Sequence, residues 1–436
     1  MIQETSQVMA ENIQQLADSS VRIDGDRLWD SILELGRIGA YYDDHLKLEG
    51  VNRKSLTDDD KLGRDLVVSW MKAAGLDVQI DQMGNILGRR EGLDAEAAPV
   101  MAASHIDTVA TAGAFDGCLG VLGAIEVIRA LNDTKLATRR PIVIAAFTEE
   151  EGVRFGTDML GSAVAAGRVS LEHAYALTDD AGLRFGDELE RIGYKGTKDV
   201  RLDPPHAYVE CHIEQGPILA KAGLKLGVVT GVQGISWQKI TFRGRAAHAG
   251  ATPTELRIDA GLAAARLTCR LREMVDSGRY GQLRATVGHI ATSPGLPSVV
   301  PDLTEMTIDM RTPDDNHMAQ AEKDIQDFLE ELKLQQPGLG VEALRMAKTN
   351  QVPFDESVQK AIAESAEELG LDYMYIRSGA GHDAQEIAAI TPTAMIFIPG
   401  EYDGISHNPR EYSTPEACTN GINALAVTMV KLANEE

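Results

Sequence analysis

Three short runs of apolar residues stop abruptly at polar or turn residues: Pro99 to Ser104 before His105, Pro141 to Phe147 before Glu149, and Ala394 to Ile398 before Pro399 and Gly400. Unbroken apolar stretches of this length predict strands buried on both faces, as in a largely parallel sheet. Between them the spacing becomes helical. Val121, Ile125, Ile128 and Leu131 succeed one another at four, three and three residues, just after Asp116 and Gly117. Strands alternating with helices predict an α/β fold, a mixed, largely parallel sheet flanked by helices.

The pattern changes from about residue 231. Ile240 and Phe242 alternate with Lys239, Thr241 and Arg243, which predicts a half-exposed strand. A helix over 255–275 follows, then strands near 285–292 and 304–311, a helix near 318–334 and a strand near 341–346. This β-α-β-β-α-β order is the split βαβ arrangement. The chain is therefore expected to fold as a catalytic domain, 1–230 and 348–436, with an inserted α+β domain, 231–347, that returns to it near Thr349 to Pro353. Two chain crossings suit a hinged lid, and a sheet with one face free of helices offers an edge for a second copy, so a homodimer through the insert is expected.

Composition narrows the classes of partner. At 436 residues, 44% hydrophobic, the chain can bury a large core without staples. With 42 Lys and Arg against 66 Asp and Glu, the net charge of -24 repels nucleic-acid phosphates and anionic membranes. No nucleic acid and no membrane is expected as a partner; a small-molecule substrate and metal cations are. The stretch MIQETSQVMAENIQQLADSS lacks a basic and then apolar leader pattern, and no apolar run is long enough to span a bilayer, which predicts a cytoplasmic protein. Cys118, Cys211, Cys269 and Cys418 form no CxxC pair, so reduced thiols are expected rather than a zinc knuckle or disulfide framework.

Four segments at predicted strand ends carry the candidate chemistry. Ser104-His105-Ile106-Asp107 and Phe115-Asp116-Gly117 form the first; there His105 could bind a metal while Asp107 holds its other ring N–H. Thr148-Glu149-Glu150-Glu151-Gly152 is the second. Three adjacent acids repel one another, so they belong either to a solvated loop tip or to a cation bound by one carboxylate with its neighbour shuttling protons. His212 within Glu210 to Pro217 and His407 within Gly404 to Asn408 complete the set. Each His alone reads as structural; four such ends together predict a metal site. His105, Asp116, Glu151, His212 and His407 supply enough ligands for two divalent ions with one carboxylate bridging, and Zn, Mn, Co and Ni all suit such mixed shells.

The segments KLGRDLVVSWMKAAGL, GNILGR, SHIDT, FDG, TEEEGVRF, HIEQGP, RGRAAHAG, SGAGHDA and GISHNPREY occur in this order, from about Leu62 to about Glu411. In them the chain resembles the dinuclear-metal amidohydrolases that include N-carbamoyl-L-amino-acid hydrolase, β-ureidopropionase and allantoate amidohydrolase, part of the wider clan of aminoacylases and zinc carboxypeptidases. The resemblance implies that His105 and His212 hold one ion, Glu151 and His407 the other, and Asp116 both. It implies Glu150 as general base and Asp107 as the group orienting His105. It assigns Gln215, His248, Arg311 and His382 to substrate, with His248 and Arg311 reaching the active site of the partner subunit. One departure stands out: Ser298 occupies the position, thirteen residues before Arg311, where many relatives carry an Asn that helps bind the substrate carboxylate. The implied activity is metal-dependent hydrolysis of a linear C–N bond in a small, carboxylate-bearing ureido compound. An aminoacylase or dipeptidase on the same scaffold is the first alternative. A ligand-sensing protein without turnover is the second, and it would require a damaged base or ligand set, whereas here Glu150 and all five ligands are present.

Overall fold

The structure, a computed structural model, describes residues 21–435. The chain divides into two compact units, one formed up to Gly231 and again from Phe354, the other by Val232–Pro353.

In the first unit the strands Thr393–Ile398, Ala207–Ile213, Val100–His105 and Ile142–Phe147 lie side by side and run parallel. Antiparallel strands flank them, Leu226–Val232 on one side and Ile86–Arg90 on the other. Every residue of Val100–His105, Ala207–Ile213 and Thr393–Ile398 is buried. Burial of both faces is why these strands read as unbroken apolar runs rather than alternations. The helices Cys118–Asp133 and Pro415–Asn434 pack against the sheet and each other, and both are apolar around much of their circumference. Each fully buried Leu, Ile or Phe in this core contributes about 1.5–3 kcal/mol.

Because the four central strands are parallel and in register, their carboxyl ends share one edge: His105 sits opposite Phe147, and His212 opposite Phe397. The loops leaving that edge carry the acids and the remaining histidine. Gly117, which caps the helix Cys118–Asp133, has a φ of 66°, and a Cβ there would lie 2.3 Å from His105 Nε2. Only glycine lets the chain turn this tightly beside the imidazole.

The second unit is a four-stranded antiparallel sheet in the order Arg284–Ser293, Leu303–Thr312, Gly234–Arg243, Gly340–Thr349. The helices Ala260–Asp276 and Asp315–Gln335 cover one face, enclosing Ile240, Phe242, Met306, Ile308, Leu267 and Ile325. Strict alternation of burial along Leu303–Thr312 marks a sheet covered on one side only. The first of these helices starts later than its periodicity predicts. Asp259 caps it by accepting the Leu262 N–H, and Thr254–Leu256 forms a separate 3-10 turn before it. The last strand stays paired as far as Thr349 opposite Ile235, which carries the unit past residue 347. Among the described residues no helix is long and apolar enough to cross a membrane. Cys118, Cys211 and Cys418 are buried, Cys269 is exposed, and all four are free thiols.

Candidate metal centre

Asp116 stands at the middle of the carboxyl edge with its two oxygens facing different ways. Oδ1 lies 3.0 Å from His212 Nε2 and 3.7 Å from His105 Nε2. Oδ2 lies 3.3 Å from His407 Nε2, which is itself 3.4 Å from Glu151 Oε2. Two groups result, His105 with Asp116 and His212, and Asp116 with Glu151 and His407, each with its donor atoms within 4.8 Å of one another. Ligands about 2.1 Å from a tetrahedral ion are about 3.4 Å apart, so these separations suit cations between them. The ring tautomers suit them too. His105 Nδ1 donates to the Asp107 carbonyl at 3.0 Å and His212 Nδ1 to the Ile213 carbonyl at 2.9 Å, which directs both Nε2 atoms at Asp116.

Burial pushes His105 down to about 4, so its ring is neutral. Burial also lowers His212, but its hydrogen bond to Asp116 overcomes this and raises it to about 9. Its Nε2 also accepts the Gly117 N–H at 3.1 Å, so the nitrogen that a cation would take lies between that donor and Asp116.

The acid turn that follows Phe147 is the opposite case, carboxyls held against their own charge. Burial, then Asp383 and Glu151, push Glu150 well above the carboxylate range. Burial and Asp116 do the same to Glu151. Burial and Asp107 bring Glu149 to about 8, and burial and Asp116 bring Glu411 to about 7. Glu150 Oε2 lies 3.5 Å from His105 Nε2, beside the first group.

With Glu149 raised to about 8 and Glu411 to about 7 from an ordinary 4.5, the folded, metal-free chain binds more protons than the unfolded chain. Their contribution is fully present below about 4.5 and is lost as pH rises towards about 8. His105, lowered to about 4, and His382, which burial also holds well below the usual imidazole range, act in the reverse sense up to about 6.5, two groups against several. The Tm of EDTA-treated protein is expected to fall from about pH 5 to about pH 8, and the gain on adding manganese to widen over the same range. A Tm in EDTA that stays flat or rises across that window would contradict this account.

A further layer holds Asp116. Gln215 Nε2 donates to its Oδ2 at 2.7 Å, and Ser406 Oγ lies 2.9 Å from the same oxygen and 2.7 Å from Glu411 Oε2. Glu411 Oε1 in turn accepts the backbone N–H groups of Phe115 and Asp116, each at 3.1 Å. Gln215 and His407 both hold a left-handed φ of 55°. Residues kept in that region cost energy, and here the polar contacts of both side chains to Asp116 hold them.

One expected role needs correction. The Asp107 carboxylate does not hold the His105 N–H: it lies 3.8 Å away, and the main-chain carbonyl of Asp107 makes that bond instead. The carboxylate accepts the N–H groups of Glu150 and Glu151, each at 3.3 Å, because the acid turn directs two donors at it. Gln215, expected on substrate, spends its amide N–H on Asp116. His382 is buried, with Nε2 2.9 Å from Ser378 Oγ and its ring 4.5 Å from that of His212; with Glu210 and His212 it makes a third cluster.

In the second unit, His248 Nδ1 accepts the N–H groups of Gly250 and Ala251 at 3.0 and 3.2 Å, which places the ring proton on Nε2. Its strand pairs with Val299–Val300, and Ala249 N–H donates to the Ser298 carbonyl at 2.8 Å, so His248 and Ser298 are neighbours. The Arg311 guanidinium lies on the Asp309 carboxylate, Nη2 to Oδ2 at 3.0 Å. Asp309, Glu210 and Glu411 are not singled out by their sequence context. The first two stand two residues before Arg311 and His212, on the same strand face, and that spacing is the one signal that points to them.

Imidazoles and carboxylates gathered at the carboxyl edge of a parallel sheet, with a further buried acid beside them, fit a metal-dependent hydrolase. Residues 101–431 match the family described as Peptidase family M20/M25/M40, and the chain belongs to that family. It is 40% identical over 416 residues to an N-carbamoyl-L-amino-acid amidohydrolase of Rhizobium meliloti, covering 94% of this chain and 97% of the relative. It is 36% identical over 423 residues to a ureidoglycolate hydrolase of Oryza sativa subsp. japonica, covering 94% and 85%. Among solved structures, an amidase of the hydantoinase/carbamoylase family from Burkholderia multivorans superposes with a TM-score of 0.90 at 42% identity, covering 96% of this chain and all of that one.

Proposed function

We propose that the protein hydrolyses the C–N bond of a small, carboxylate-bearing ureido compound, using two divalent ions drawn from Zn, Mn, Co and Ni. The observation that carries the reading is Asp116, whose two oxygens face separate imidazoles with Glu150 alongside. The similarity to amidohydrolases over most of the chain directs it to ureido substrates.

When bound, the cations supply Lewis acidity and acidify water. Asp116, His105 and His212 would hold one and Asp116, Glu151 and His407 the other. Glu150 takes the proton of the attacking water, its raised proton affinity suiting a base that must then return that proton to the leaving nitrogen. His248, with Nε2–H available, donates to the oxygen that gains charge. Arg311, oriented by Asp309, takes the substrate carboxylate, with Ser298 offering a hydroxyl where relatives offer an amide. Gln215 and His382 support Asp116 and His212. With a carbamoyl substrate and one water, the products are ammonia, carbon dioxide and the free amine.

The working form in this proposal is a homodimer through the second unit, whose ten-residue edge strands Arg284–Ser293 and Gly340–Thr349 are largely exposed. Four free thiols suit the reducing cytoplasm.

The experiment is ammonia release by manganese- or zinc-loaded protein from N-carbamoyl amino acids, 3-ureidopropionate and allantoate, beside cleavage of N-acyl amino acids and dipeptides. Release from one ureido compound is expected. Silence on every ureido compound together with cleavage of an acyl or peptide amide would replace this reading with the aminoacylase or dipeptidase one.

A further inference from the structure

Two stretches of the sequence, KLGRDLVVSW and GNILGR, take no part in the chemistry above, yet both end beneath the acid turn. Arg64, in the helix Asp58–Ala73, is only 1% exposed. Its Nε donates to Asp60 Oδ2 at 2.7 Å, Nη1 to the Gly84 carbonyl at 2.7 Å and Nη2 to Thr148 Oγ1 at 3.2 Å. Asn85, fully buried, leads into the strand Ile86–Arg90. Its Oδ1 accepts the Thr148 N–H at 3.0 Å, while Nδ2 donates to Asp81 Oδ2 at 2.8 Å and to the Gly161 carbonyl at 3.2 Å. Gly161 N–H closes the ring on the Thr148 carbonyl at 2.9 Å. Thr148 is thus gripped at its N–H, its carbonyl and its hydroxyl.

The residues after it are the three acids. Leu160 and Met159 donate to the carbonyls of Glu149 and Glu150, at 3.0 and 2.7 Å, and Asp107 accepts the N–H groups of Glu150 and Glu151. Three adjacent acids repel one another whenever they ionise, and the turn would otherwise spread. A buried guanidinium and amide cost desolvation that their bonds only offset, so for packing alone apolar residues would serve as well. An apolar residue could not place Thr148.

We propose that Asn85 and Arg64 are positioning residues that, by clamping Thr148, set Glu150 in register with His105 and Asp116. The kinetic part of this rests on Glu150 being the base; the structural part does not. A base displaced by about 1 Å loses about a hundredfold in rate, so the clamp acts on turnover more than on binding.

The test uses the full chain and the variants Asn85→Ala and Asn85→Asp. Amide exchange by mass spectrometry is followed over residues 147–155, 100–110 and 404–412, beside kcat and KM on a ureido substrate of the wild type, and bound manganese. Asn85→Ala is expected to speed exchange over 147–155 about tenfold or more, leave the other two segments protected, and lower kcat about a hundredfold with KM and manganese content little changed. Asn85→Asp keeps an acceptor for the Thr148 N–H but loses the donor to Asp81 and Gly161 and sets two buried carboxylates together, so it is expected to recover neither. Where Asn85→Ala fails to fold, Thr148→Val, which removes the acceptor of Arg64, takes its place with the same expectation. Exchange unchanged over 147–155, or loosened there with kcat intact, overturns the proposal. If the wild type cleaves no ureido compound, the functional reading fails and exchange alone decides the clamp.

Discussion

Glu150→Gln is expected to lower kcat by roughly a thousandfold, within the span that a positioned acid-base group supplies, while the protein stays folded and keeps its metal. Glutamine has nearly the same shape but cannot accept the proton of the attacking water. It should not loosen the site, because Glu150 sits fully buried among Asp383, Glu151, Asp116 and Asp107, all of which repel its charge. Near neutral pH the folded, metal-free chain must hold a proton on Glu150 that the unfolded chain releases, a cost glutamine does not carry, so the Tm of metal-free protein is expected to hold or rise there. KM should change little, since the carboxylate acts on the water rather than on the bound substrate. The measurement is steady-state kinetics with metal analysis and a melting curve. A kcat within tenfold of wild type would remove Glu150 from the role of base.

Asp116→Asn is expected to empty the site. Both carboxylate oxygens are in use, Oδ1 towards His212 and His105, and Oδ2 towards His407, Gln215 and Ser406. An asparagine keeps one oxygen and turns an NH2 to the other side. If the NH2 faces His212 and His105 one ligand group is lost; if it faces Gln215, two donors meet. Metal affinity is expected to fall by more than the roughly 10- to 100-fold that loss of a supporting partner costs, and activity with it. The metal-free protein should also lose stability, because the Asp116 charge that raises the buried His212 to about 9 is gone. Metal content after gel filtration decides the matter. Retention of metal at the wild-type ratio would show that Asp116 is dispensable as a ligand.

Much of the site is legible in the amino-acid sequence. His105, the acid triplet, His212 and His407 each stand beside a strand whose apolar run marks it as buried in a parallel sheet, and such strands bring their carboxyl ends to one edge. The start of the helix at Ala260 is not legible, because periodicity continues through residues that do not join the helix, and the cap at Asp259 is a hydrogen bond rather than a pattern. Nor is the part played by Asp309, since a lone acid on a half-exposed strand has no signature until its Arg partner is seen.

Local rules account for the buried and half-buried strands, through their apolar spacing, for the insertion, through the change in that spacing, and for the cation-binding character, through residue types at strand ends. They do not say which acceptor each donor meets, and that pairing emerges only from the packed chain. Asp107 turns its carboxylate to the acid turn and its carbonyl to His105, Gln215 turns its amide to Asp116, and Asn85 and Arg64 meet at Thr148 across 63 and 84 residues of chain. Donors and acceptors pair within a few tenths of an ångström, and at that scale the packing of the whole unit, not the local pattern, sets where each atom lies.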